Sequence, residues 1–186
     1  MSQPQREPSG VRKGESEKGD GVREHTLAVL VENKPGVLSR VSGLFTRRGF
    51  NIDSLAVGET ENPNYSRMTI VVKADDKTIE QVSKQLNRLI EVIKVSNLTE
   101  DESVERELAM VKVSSDEEVR SEIMQITDIF RATVVDVGRE SLVVEVTGDS
   151  DKIEAIVDML RQFGIREMVR TGKISLARGP KTTKAD

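Results

Sequence analysis

The chain of 186 residues contains no cysteine and no tryptophan, a single histidine, and aromatic residues at only 3% of positions. Without thiols, disulfides, thiolate metal sites and cysteine nucleophiles are excluded. With His25 as the single imidazole, neither a histidine-based triad nor a multi-histidine metal site can be assembled, and a structural or solvent-facing place at the edge of the first strand is expected of it. The shortage of rings leaves little on which bases could stack, and neither a basic face nor a helix-turn-helix pattern offsets it. Nucleic acid is therefore not an expected partner. No apolar run approaches the length of a membrane span, and the first residues lack the apolar core of a signal peptide, so a cytoplasmic location away from membranes is expected. Neither a GxxxxGK[ST] phosphate loop nor a GxGxxG fingerprint follows any apolar strand. One-sided charge is missing too: 28 Lys and Arg against 32 Asp and Glu give a net charge of -4, too mild and too interspersed to steer a charged polymer. The many carboxylates fall on helix faces and in loops, where solvation explains them, and no catalytic constellation is expected.

What the chain does have is periodicity, built on Val, Ile, Leu and Met. Residues 1–23 mix Gly, Pro, Ser and both charge signs and read as a disordered tail. From there the pattern is regular. Thr26 to Val31 is a strand apolar on both faces, which predicts burial on both faces. Val37 to Arg48 is an amphipathic helix with Leu38, Val41, Leu44 and Phe45 on one face. Strands follow over Ile52 to Glu59 and Arg67 to Lys73. A helix capped at Asp75 or Asp76 comes next, with Ile79, Val82, Leu86, Leu89 and Ile90 at helical spacing, and then a strand over Val92 to Leu98. This is the strand-helix-strand-strand-helix-strand order of a ferredoxin-like unit, spanning residues 24–99. The acidic stretch 100–105 reads as a linker; a carboxylate metal cluster at Glu100, Asp101 and Glu102 would need ligands from elsewhere.

The same order then repeats over 106–178. A strand over Arg106 to Val113 leads to a helix from Asp116 carrying Val119, Ile123, Ile126 and Phe130, and a hairpin turns at Gly138 to Glu140. A helix capped at Asp149 or Ser150 and a closing strand over Ile165 to Thr171 follow. A short strand is possible in the segment after Thr171, and residues 179–186 read as a flexible tail. The fold class is thus α+β, two tandem βαββαβ units. A sheet covered by helices on one face leaves the other open, and the doubly apolar first strand predicts that a second subunit buries this surface or an edge of the sheet, as in a homodimer.

Between the first strand and the first helix lies the turn Asn33, Lys34, Pro35, Gly36. First-turn amides of a helix have no intrahelical acceptor, and with the positive end of the helix dipole they can seat a carboxylate. Gly36 leaves room for such an anion, or serves simply as a backbone device in a tight turn. Both readings stand on spacing alone.

The run HTLAVLVENKPGVLSRVSGLFTRRGFNIDSLAVGETENPNYSRMTIVV, with KQLNRLIEVIKV, RELAMVKV, IFRATVVDV and FGIREMVRTGKISLARG, resembles the ACT domain and, more closely, the regulatory small subunits of acetolactate synthase (acetohydroxyacid synthase). The resemblance covers residues 25 to 179. It implies a non-catalytic subunit that activates a large subunit carrying thiamine diphosphate, Mg and FAD, with no cofactor or metal on this chain. It also implies feedback inhibition by a branched-chain amino acid, valine above others, in branched-chain amino-acid biosynthesis. By motif, the effector residues carried over are Asn33, Gly36, Val37, Leu38, Asn51 and Ile52, at a site shared between two ACT domains. The alternative is a free-standing ACT-type amino-acid sensor with a different target.

Overall fold

The computed structural model describes residues 21–184; most of the expected N-terminal tail lies outside them. The first unit comprises β1 (Arg23–Glu32), α1 (Val37–Arg47), β2 (Ile52–Glu59), β3 (Tyr65–Ala74), α2 (Asp76–Leu86) and β4 (Val92–Asn97). The second comprises β5 (Ser103–Ser114), α3 (Arg120–Ile129), β6 (Thr133–Val137), β7 (Ser141–Gly148), α4 (Ser150–Arg161) and β8 (Ile165–Arg170), with β9 (Ile174–Ala177) after it. The sheets run β2-β3-β1-β4 and β6-β7-β5-β8, antiparallel throughout, as the βαββαβ order requires.

Each unit has its own core. In the first, Leu27, Val29 and Val31 of β1 and Met68, Ile70 and Val72 of β3 meet Val37, Val41, Leu44 and Phe45 of α1 and Ile79, Val82 and Leu86 of α2. In the second, Val111, Val113, Leu142, Val144 and Val146 meet Ile123 and Ile126 of α3 and Ile153, Ile156, Val157 and Leu160 of α4. Helices α2 and α4 start on carboxylate caps, Asp75 accepting from the Thr78 amide at 2.8 Å and Asp149 from the Lys152 amide at 2.9 Å. The bonds from the Thr78 amide and hydroxyl hold the Asp75 carboxyl below its ordinary value.

Two predicted helix positions fall elsewhere. Leu38 is 43% exposed, its place on the buried face taken by Val37. Because α2 ends at Leu86, Leu89 reaches the core from the following turn whereas Ile90 is 91% exposed. His25 is buried on the central strand, not at a solvent edge. Its Nε2 lies 3.0 Å from the Ala74 carbonyl and its Nδ1 3.3 Å from the Thr99 hydroxyl.

The stretch expected as a linker is partly strand, since β5 begins at Ser103. Two of its acids are ion-paired, Glu100 with Arg23 and Asp101 with Lys181 at 2.5 Å. No group of three or more potential metal-ligating side chains forms among the described residues, and no helix there is long and apolar enough to cross a membrane.

The doubly apolar strand is buried on both faces, Ala28 and Leu30 of β1 and Val71 of β3 being covered on the side away from the helices. The cover is the chain itself, which corrects the expectation of a second subunit over this face and leaves the edge of the sheet as the place for one. Strand β9 pairs with Ser103–Arg106 at the start of β5, and the segment from Gly172 onward lies across the first sheet. The Lys173 amide donates to the Ser54 hydroxyl at 2.8 Å, Arg67 donates to the Ser175 carbonyl at 2.8 Å, and the Thr183 hydroxyl donates to that of Ser96 at 2.9 Å. Nζ of Lys173 sits 2.8 Å from Glu24 and 3.1 Å from Glu105, tying the two units at one point. Residues 179–184, expected as a free tail, carry the Lys181 pair and a Lys184 to Glu61 pair at 2.8 Å.

Candidate functional site

The turn entering α1 is shaped by a left-handed Gly36, with φ of 84°. A side chain here would be strained whatever the space, although a Cβ would find nothing nearer than Arg40 Nη2 at 4.0 Å. Both readings of Gly36 are thereby compatible: the backbone requires it, and the space in front of the helix is open. No side chain caps α1. The Val37 amide makes only a long contact of 3.4 Å to the Lys34 carbonyl, and the Gly36 carbonyl accepts from the Arg40 amide at 3.1 Å. The next first-turn amides, of Leu38 and Ser39, have no intrahelical acceptor, as in any helix. Lys34 and Arg40 flank the turn, each paired with an acid, Glu32 at 2.8 Å and Glu91 respectively.

Asn33 is committed within the chain. Its Nδ2 donates to Glu59 Oε1 and to the Pro63 carbonyl, both at 3.0 Å, and its Oδ1 accepts from the Ser66 hydroxyl at 3.1 Å. The residue thus holds the end of β1 to the β2–β3 loop and brings the Glu59 carboxylate beside the turn. Glu59 was not in the sequence-based set. Its link to Asn33 spans 26 positions and follows only from the strand register, which places Glu59 opposite Ser66 and Ser66 opposite Val31.

Asn51 and Ile52 are not brought to this turn. Ile52 pairs with Val72, which pairs with His25 at the start of β1, whereas Asn33 follows its end. Within one chain, Asn33, Gly36, Val37 and Leu38 therefore lie at one end of the sheet, and Asn51 and Ile52 at the other. Asn51 donates to Asp53 at 3.1 Å and is exposed, and Ile52 packs partly against the core. Of the four residues at the turn, Val37 is buried, so it can offer its amide but not its side chain. The exposed Leu38 can offer both.

Strand β2, which runs between these two ends, is an edge strand. An identical strand laid antiparallel beside it would set the Asn51 end of one chain next to the Glu59 end of the other, because antiparallel partners run in opposite directions. Such an arrangement would bring the six residues together across the seam.

Residues 27–94 match the model of the AHAS small subunit-like ACT domain, and residues 106–179 match that of the small subunit of acetolactate synthase. A relative from Archaeoglobus fulgidus, named "Probable acetolactate synthase small subunit", is 62% identical over 158 residues, covering 85% of this chain and 99% of its own. The acetolactate synthase small subunit of Mycolicibacterium smegmatis is 55% identical over 162 residues, covering 87% and 95%. The crystal structure of the acetolactate synthase small subunit from Thermotoga maritima superposes with a TM-score of 0.78 at 49% identity, over 84% of this chain and 98% of that one.

The chain belongs to the acetolactate synthase small-subunit family. It is a regulatory, non-catalytic subunit, as the resemblance implied. Both tandem units are family features, since the two models fall on the first and the second unit respectively, and the first match contains all six candidate effector residues. The second match runs through β9 to Gly179, so the segment that covers the first sheet belongs to the family's fold as well.

Proposed function

We propose that this chain activates an acetolactate synthase large subunit and makes it sensitive to a branched-chain amino acid, valine first, bound between the β2 edges of two copies. The uncapped turn at Gly36 supports this reading most directly. The ligand carboxylate meets the amides near Val37 and Leu38, where the helix dipole favours an anion. Its ammonium is met by the free oxygen of Glu59 and by the neighbouring chain's Asn51, and its side chain rests on Leu38 and Ile52. Thiamine diphosphate, Mg and FAD belong to the large subunit in this scheme.

Regulation follows from differential affinity. A ligand held across a two-fold seam favours one arrangement of the paired units, and a coupling of about 1 to 3 kcal/mol between that arrangement and the large subunit gives roughly 5- to 150-fold control. The Gly36→Asp variant places a carboxylate where the ligand's own must sit. Gly36→Asn is its neutral control, sharing its size and its backbone strain. In holoenzyme reconstituted with its large subunit, Gly36→Asp should lose valine inhibition yet still activate, while Gly36→Asn retains measurable inhibition. Undiminished valine sensitivity of Gly36→Asp would sink the site.

A further inference from the structure

The family match ends at Gly179, but the described chain goes on to Lys184. Pairing of β9 with the start of β5 closes at Arg178, whose amide donates to the Glu102 carbonyl at 2.7 Å. Gly179 then takes a left-handed φ of 70°, Pro180 follows, and the chain leaves the ladder. The residues after it, Lys181 to Lys184, are all polar, and local pattern alone would send them into solvent. Instead they are tied to three different stretches of the chain. Lys181 pairs with Asp101 beyond the end of β4 at 2.5 Å, the Thr183 hydroxyl donates to that of Ser96 on β4 at 2.9 Å, and Lys184 pairs with Glu61 in the β2–β3 loop at 2.8 Å. Thr183 is only 7% exposed.

An exposed ion pair taken singly holds little. A short segment fixed at three points is different, because each tie, once made, keeps the other two within reach. Between this segment and the sheet lies a cavity of about 500 Å³, lined by Leu30, Tyr65 and Arg67 of the sheet and by Glu59 and Glu61. The segment therefore spans open space and is held at its anchors, with Thr183 as its one buried side chain. Such a segment can seat and unseat without disturbing the core beneath it.

The loop at the last anchor is the one that the effector turn also grips. The Asn33 amide donates to the Asn64 carbonyl at 2.7 Å, and its side chain donates to the Pro63 carbonyl and to Glu59. The loop is closed by the Tyr65 amide on the Asn62 carbonyl at 3.0 Å and the Thr60 amide on the Tyr65 carbonyl at 3.1 Å. Glu61 thus sits inside a bonded network that runs to Asn33 without a gap, the kind of contiguous path that can carry coupling. We infer that residues 180–184 are a strap that braces the β2–β3 loop and so holds Asn33 and Glu59 in place, making affinity for the branched-chain amino acid depend on whether the strap is seated. This deepens the effector reading given above and rests on it.

The test has two arms and two variants: a chain ending at Gly179, and a full-length Lys184→Glu chain, which keeps the strap but sets a carboxylate against Glu61 and serves if the shortened chain does not fold. In the first arm, hydrogen exchange of the chain alone is followed at the Asn33 and Tyr65 amides. Both should exchange at least about 2-fold faster in either variant, and in the wild type at high salt, which screens the Lys184 pair. In the second arm, holoenzyme reconstituted with its large subunit is titrated with valine. The concentration for half-inhibition should rise about 2- to 30-fold, the range for residues that tune coupling without touching the ligand, while activation without valine stays the same. Unchanged exchange at both amides would overturn the strap whatever valine does. Faster exchange with an unchanged valine response would overturn its part in effector binding. A wild-type holoenzyme indifferent to valine would overturn the effector reading and the regulatory role with it, and the exchange arm would still decide whether the strap braces the loop.

Discussion

The two units share one topology but differ at the same two places. In the first, the strand-to-helix turn ends on a left-handed glycine with no side-chain cap. In the second, the corresponding turn supplies its own anion, Oδ1 of Asp116 accepting from the amides of Glu118 and Val119, both at 3.0 Å. The first turn has no side-chain acceptor for its amides, whereas a carboxylate binds the amides of the turn that precedes α3. The far faces of the sheets differ as well. That of the first is closed by β9 and the segment around it, while that of the second leaves Met110 40% and Val169 54% exposed. Identical topology thus carries two different surfaces, and the loops and the C-terminal extension decide which. The open face of the second sheet is where an apolar partner surface would find room, a contrast with the first sheet that a single chain cannot remove.

The contrast between covered and uncovered faces can be broken by a pair of truncations. Leu30→Ala, on the covered face at 3% exposure, should cost roughly 2 to 5 kcal/mol of stability in urea unfolding. Met110→Ala, on the open face, should cost about 1 kcal/mol or less. Equal losses would mean that β9 does not protect the first sheet in solution.

The tie between the units is the next largest effect. Lys173→Met leaves Glu24 and Glu105 without their shared cation and should cost roughly 1 to 3 kcal/mol. Burial, the largest single influence on Lys173, pulls its pKa down, and the bonds to Glu24 and Glu105 more than offset it, leaving it above the ordinary lysine value. The stabilisation is therefore full below the unfolded lysine value of about 10.4 and is lost as pH rises through the higher folded value. Denaturation curves taken through the alkaline range should converge for wild type and Lys173→Met. Parallel curves would remove Lys173 as the tie.

The smallest effect concerns the second turn. Asp116→Ala should destabilise by about 0.5 to 2 kcal/mol, with hydrogen exchange speeding at the Glu118 and Val119 amides. Unchanged exchange there would erase the distinction between the two turns.

Much of this was legible in advance because periodicity reports burial. The alternation in β3 and β7 and the helical spacing in α1, α2 and α4 identify the elements, and Asp75 and Asp149 mark two helix starts. Leu38 and Ile90 were misplaced because an apolar residue one step off a helix face, or one turn past its end, carries the same local signal as a buried one. Glu59 was missed because nothing in its neighbourhood announces Asn33. Burial of β1 on both faces was readable, but not the identity of the cover.

By itself, the sequence determined the two βαββαβ units, the family and the turn at Gly36, since each rests on local spacing and on residue types with few conformational alternatives. Tertiary structure decided that β9 closes the first sheet and that Arg67 reaches the Ser175 carbonyl. It also decided that Asn33 and Asn51 stand at opposite ends of β2. Strand register and the path of the chain after Thr171 set these, and both depend on contacts between residues far apart in sequence, which no local pattern encodes.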